Sequence, residues 1–126
     1  MLDNFLRHEA QTPFVWGLSD CCSTADRWVQ LKRGFSPLER YGRTYASEEE
    51  AKAWLAESGG IIMAVAKVMK RNGINRTASP KAGDVGIIAV QDMRCMAIFN
   101  GWLWVSRSQR GWASSMTHCH YAWSVC

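Results

Sequence analysis

Phe14-Val15-Trp16-Gly17-Leu18-Ser19-Asp20-Cys21-Cys22 is the stretch whose reading decides the fold. Gly17 and Ser19 mark a turn, and Asp20 or Ser19 is placed to cap a helix that begins at the cysteines. The helix runs to about Arg33 and stops at Gly34, a C′ glycine. Its predicted inward stripe is Cys21 or Cys22, Ala25, Trp28, Val29 and the alkyl stem of Lys32. A thiol in the first turn of a helix meets unpaired N–H groups and the positive end of the dipole, which favour the thiolate. This is one way in which a cysteine becomes a nucleophile. An ordinary buried cysteine at a helix start has the same local sequence, so the rest of the chain must supply a base before the motif means chemistry.

Upstream, residues 3–10 suit a short helix capped by Asp3, and Pro13 closes it. Downstream, residues 35–46 show no period and read as a loop with aromatic anchors. Ser47-Glu48-Glu49-Glu50 is a capping box that opens a helix with Ala51, Trp54 and Leu55 on one face. Gly59-Gly60 breaks it. Ile62, Val65, Ala66 and Met69 recur at helical spacing in the next helix, which ends in Lys70-Arg71 and stops at Gly73.

After Pro80 the pattern becomes that of strands. Gly83-Asp84 opens Val85–Val90, Cys95–Phe99 follows, and Asn100-Gly101 signals a hairpin turn into Trp102–Val105. Residues 106–115 are polar with one Gly111-Trp112, and residues 119–125 form a last strand. Helices first and an antiparallel meander second is an α+β layout, with the cysteine helix packed on the sheet.

The totals fit one domain over residues 1–126. The chain is 48% hydrophobic, which is a globular composition. The net charge of +4 is scattered rather than gathered into a stripe, so no nucleic-acid partner is expected. The apolar run from Ile61 to Val68 is interrupted by Lys67 and too short to cross a bilayer, so no membrane insertion is expected. No signal peptide is read at the N-terminus, and the five cysteines are expected as reduced thiols made in a cytoplasm.

Several of these features together resemble one family. A cysteine in W-G-x-x-D-C at a helix start (Trp16-Gly17, Asp20-Cys21), a Gly83-Asp84 strand start and an apolar strand ending in Asn100-Gly101 look like the NlpC-like cell-wall cysteine peptidases, which are compact and papain-like. The nearest flavour is the branch found in tailed phages and gene-transfer agents. With it the chain shares the Gly34 stop, the loop from Arg40 to Tyr45, the Gly59-Gly60 break and the terminal Ala122-Trp123. The resemblance implies Cys21 as nucleophile, with Asp20 as the cap beside it. It also implies a histidine at the start of the second strand as general base. The residue at that position is Cys95. A thiol is a poor substitute, because its pKa is too high and it has no second nitrogen to be held by an orienting partner.

The expectation is therefore a phage tail-tip protein with an NlpC-like fold, diminished or lost activity, and other tail proteins as partners. It would be made in the host cytoplasm and sit in the virion tail. The alternative is an active hydrolase that cuts peptide bonds of peptidoglycan. A base would then come from His118 or His120, which share a face if their strand is regular. His8, on the first helix, is expected to face solvent. Cys22 takes the nucleophile's role if the motif is read one residue later. No C-x-x-C pair accompanies His118, Cys119 and His120, so neither a metal nor a cofactor is expected. Asp84 reads as a strand-start turn residue. Trp102 and Trp104 read as sharing a strand face, suited to packing or to anchoring a partner.

Overall fold

In the computed structural model the described residues are all of 1–126 except 91, 92, 110, 117, 118, 120 and 126. Among the described residues five helices precede five strands. The helices are α1 (Leu2–Ala10), α2 (Cys21–Arg33), α3 (Pro37–Tyr41), α4 (Glu48–Ser58) and α5 (Ile61–Arg71). The strands are β1 (Val85–Val90), β2 (Met93–Phe99), β3 (Trp104–Ser108), β4 (Gly111–Ser115) and β5 (Tyr121–Trp123). All pairings are antiparallel, in the order β4-β3-β2-β1-β5. The α+β class is as expected. The meander holds through β4, after which the chain crosses back so that β5 pairs with β1.

The α2 helix is built as its sequence dictates. The Asp20 carboxylate accepts from the N–H groups of Cys22 and Ser23, and Gly34 ends the helix at φ 86°. Ala25, Trp28 and Val29 are buried against Val85, Ile87, Met96 and Ile98 of the sheet and Val65 and Met69 of α5. Lys32 lies exposed, so the inward stripe ends a turn earlier than its spacing suggests. The Trp28 indole N–H donates to the carbonyl of Gly83 at 2.7 Å, so the helix is tied to the start of β1 as well as packed on the sheet.

Four further expectations are revised. Met1 rather than Asp3 is the N-cap of α1, and no side chain caps it. The segment read as an unstructured loop contains α3, with Ser36 as cap, Pro37 in the first turn and Gly42 as stop. The polar stretch 106–115, to which the sequence assigned no strand, holds the rest of β3 and all of β4. Trp102 lies in the turn, 85% exposed, whereas Trp104 is buried, so the two do not share a strand face. The Ser47 cap is confirmed, since its hydroxyl accepts from the Glu50 N–H at 3.1 Å. Glu50 reaches back to Ala46 N–H at 2.8 Å, one residue before the cap.

The sheet has cores on both faces. The second is made of Ile88, Ala97, Trp104, Cys119 and Ala122, with Cys95 and Phe99 packed against it. Gly86 permits this closure. A Cβ there would lie 2.7 Å from Cys119 Sγ and 2.9 Å from the tip of the Trp104 ring. The Cys119 thiol donates to the carbonyls of Ile87 (3.1 Å) and Tyr121 (3.2 Å).

Candidate functional site

The site is a fork in the sheet. Among the described residues β2 and β3 pair only at Ile98–Val105 and Phe99–Trp104. Beyond these pairs β3 follows β4, and a side chain takes over the bond to β2: Ser106 Oγ donates to the Met96 carbonyl at 2.7 Å. Arg107, the next residue, donates through both terminal nitrogens to the carbonyls of Glu9 and Thr12 at the end of α1. The start of α2 sits at this fork, and the Met96 N–H of β2 donates to the Cys21 sulfur.

The thiols differ sharply. The sulfurs of Cys21 and Cys22 lie 4.0 Å apart, a contact that by itself gives no direction for the shared proton. The surroundings do. Cys22 lines a void of about 30 Å³ walled by Ala25, Val29, Trp54, Val65 and the carboxyl-bearing Asp26, with no cation to stabilise a thiolate. Its pKa is pushed well above the ordinary thiol range by its bond to Cys21 and by burial. Cys22 therefore keeps the proton and donates it. That donation, helped by the Met96 N–H, lowers the pKa of Cys21 against the opposing effects of burial and the Asp20 charge. Cys21 is the poised thiol of the pair, and Cys22 is its hydrogen-bond donor.

Asp20 is buried and accepts five hydrogen bonds. Oδ1 accepts from Cys22 N–H (3.1 Å), Ser23 N–H (3.1 Å) and the Tyr45 hydroxyl (2.5 Å). Oδ2 accepts from Gly17 N–H (2.6 Å) and Ser23 Oγ (2.9 Å). Ser19, the other candidate cap, instead ties the preceding turn together, accepting from Val15 N–H at 2.7 Å and donating to the Pro13 carbonyl at 2.6 Å. The potential ligand atoms of Asp20, Cys21 and Cys22 lie within 4.8 Å of one another. Both carboxylate oxygens are already engaged, so binding a metal through Asp20 would surrender the cap.

Cys95 sits on β2, on the face shared with Ala97 and Phe99, packed against the second core. Burial pushes its thiol up, against a hydrogen bond from Ser106, and the Cys21 charge pushes it further the same way. It is a protonated thiol near Cys21, without the acceptor nitrogen that a base needs. His8 is exposed on α1, as expected. His118 and His120 lie outside the described residues. Asp84 is buried and holds the turn into β1, accepting from the N–H groups of Lys81 (2.8 Å) and Val125 (2.9 Å). Tyr45, Ser23 and Ser106 also belong to the site, although the sequence reading gave them no role there. The loop of Tyr45 carried no periodic signal, and hydroxyls that bond distant backbone leave none.

The chain matches a protein family described as a domain of unknown function, DUF6950, over residues 1–125. It belongs to that family. The match takes in the turn, the cysteine helix, the fork and β5, so the whole site lies within the family domain. No curated protein and no solved structure matches the chain.

Proposed function

We propose that this member of the family is a phage tail-tip component with an NlpC-like, papain-related fold and a degraded catalytic site, serving structure or assembly. One observation carries the reading. A thiol at a helix N-terminus is lodged beside β2, and the position on that strand which the sequence resemblance assigns to the base is occupied by Cys95, a thiol packed toward the second core. The arrangement keeps the frame of a cysteine peptidase and withholds its proton acceptor. Placement in the tail, with other tail proteins as partners, follows from the sequence resemblance. The test is assembly. Tagged protein expressed with the tail proteins of its phage should co-purify with them, and Cys21→Ala should assemble as well as the parent. A chain that stays monomeric and apart from them sinks the reading.

A second reading, an active peptidoglycan hydrolase, is favoured by the lowered Cys21 thiol. The Cys21 sulfur would attack a peptide carbonyl and form a thioester, the amine would leave with a proton, and water would release the acid. Backbone N–H groups at the start of α2 would face the oxyanion. The base would have to be His118, His120 or a partner's group. Purified protein mixed with peptidoglycan, alongside Cys21→Ala, separates the two readings. Fragment release by the parent alone establishes the hydrolase, and equal absence of release removes it.

A further inference from the structure

We propose that Tyr45 is a positioning residue for Cys21. Its hydroxyl, bonded to Asp20 from across the fold, disperses the carboxylate charge beside the thiol and so sets the thiol's reactivity. The inference rests on the reading of Cys21 as the reactive thiol of the site, and on neither reading of what that thiol does.

The geometry is specific. Tyr45 lies 25 residues from Asp20 in sequence, yet its O–H donates to Oδ1 at 2.5 Å. The ring is fixed by stacking on Trp54 of α4, with centroids 6.0 Å apart and planes at 26°. The backbone is fixed too. The Tyr45 carbonyl presses so closely on Gly17 that a Cβ there would lie 2.0 Å from it. The loop is therefore seated directly on the turn that delivers Cys21. Ser23 works from the opposite side, donating to Oδ2 at 2.9 Å and lying 3.3 Å from the Tyr45 oxygen. Gly17, Leu18, Ser23, Arg27, Arg43 and Tyr45 line a groove of about 420 Å³ open to solvent, so whatever occupies that groove meets the Tyr45 loop.

The sign follows from the charges. Among the described residues, the groups acting on Cys21 are Cys22 and Asp20 at its own helix start and the Met96 N–H of β2, while Cys95 on β2 is itself acted on by the Cys21 charge. Tyr45 acts through Asp20. The Asp20 charge opposes the thiolate. Each hydrogen bond it accepts draws charge away from Cys21 and weakens that opposition. Burial and the neighbouring Cys22 and Asp20 push the Tyr45 hydroxyl far above the ordinary phenol range, so it remains a donor wherever Cys21 titrates.

The experiment is the pH profile of iodoacetamide alkylation at Cys21, read by mass spectrometry with fragmentation to separate Cys21 from Cys22. In Tyr45→Phe, which keeps the ring on Trp54, the profile should move to higher pH and the rate at pH 7 should fall roughly threefold to tenfold. In an Asp20→Asn background the same substitution should leave the profile where it is. Ser23→Ala, which removes the bond to the other oxygen, should shift the profile in the same direction, and it serves where Asp20→Asn does not fold. An unmoved profile in Tyr45→Phe overturns the inference, as does a shift that persists without the Asp20 charge or an unmoved profile in Ser23→Ala. If Cys21 in the parent protein alkylates no faster than Cys95, the reading of Cys21 falls, and this inference falls with it. A fast Cys21 indifferent to Tyr45 overturns this inference alone.

Discussion

Gly17 shows how much one residue of the site carries. Its φ is 86°, in the left-handed region where a side chain is strained, and the space a Cβ would need holds the Tyr45 carbonyl. Its N–H also donates to Asp20. Gly17→Ala should therefore displace the Tyr45 loop or the turn itself, with a loss of roughly 2–4 kcal/mol in a denaturant melt. A loss under about 0.5 kcal/mol would show that the two segments do not press together. The same residue couples stability to chemistry, since any movement of the turn moves the cap that orients Cys21. At this scale Asp20 could be read from sequence as a cap. Its fifth hydrogen bond, from Tyr45, could not, because nothing local announces a donor 25 residues away.

Among the elements, β1 is the most constrained. It lies between β2 and β5, and both of its faces are packed, Val85 and Ile87 toward α2 and Ile88 toward the second core. Its near-continuous apolar run, Val85-Gly86-Ile87-Ile88, is the signature of a strand buried on both sides. Gly86 is the exception in side-chain size, and the close approach of Cys119 and Trp104 explains it. Gly86→Ala should cost roughly 2 kcal/mol or more, because the Tyr121 carbonyl also lies 2.8 Å from the new Cβ and backbone yields little. The denaturation midpoint would register the loss. A near-parental midpoint would mean that β5 and the Cys119 segment are free to retreat. The pair β3–β4 went unread for a physical reason. Ser106, Arg107, Ser108 and Ser114 make a polar run. Ser106 and Arg107 are nonetheless buried, through bonds to the Met96, Glu9 and Thr12 carbonyls that no periodicity encodes.

For the whole molecule, the buried thiols make stability depend on pH. Burial raises the pKa of Cys95 and Cys119, and the bond to Cys21 together with burial raises that of Cys22. Above about pH 8.5 the unfolded chain gives up these protons while the folded chain holds them. The native state then binds more protons than the unfolded state, so the unfolding free energy falls as pH rises. Cys21, lowered, acts the other way but alone. Urea melts from pH 7 to 9.5 should show a falling unfolding free energy, with a shallower fall in Cys22→Ala. A flat parental profile would show that these thiols are not held protonated by the fold.

The sequence by itself determined the α+β class, the cysteine helix with its Asp20 cap and Gly34 stop, the Ser47 cap and the strand start at Gly83-Asp84. These depend on neighbours a few residues apart, where capping groups, glycine conformations and side-chain periodicity act. Tertiary structure decided what surrounds the thiol. It limited the β2–β3 pairing to two residue pairs among the described residues, made Cys22 the thiol harder to ionise and turned Cys95 toward the second core. It also brought Tyr45 onto Asp20. Those outcomes come from packing and hydrogen bonds between segments tens of residues apart, and a linear pattern has no term for them. The turn from Phe14 to Cys22 sets Cys21 at a helix start, but only the assembled fold places Cys22, the Met96 N–H and the Tyr45-bonded Asp20 around it.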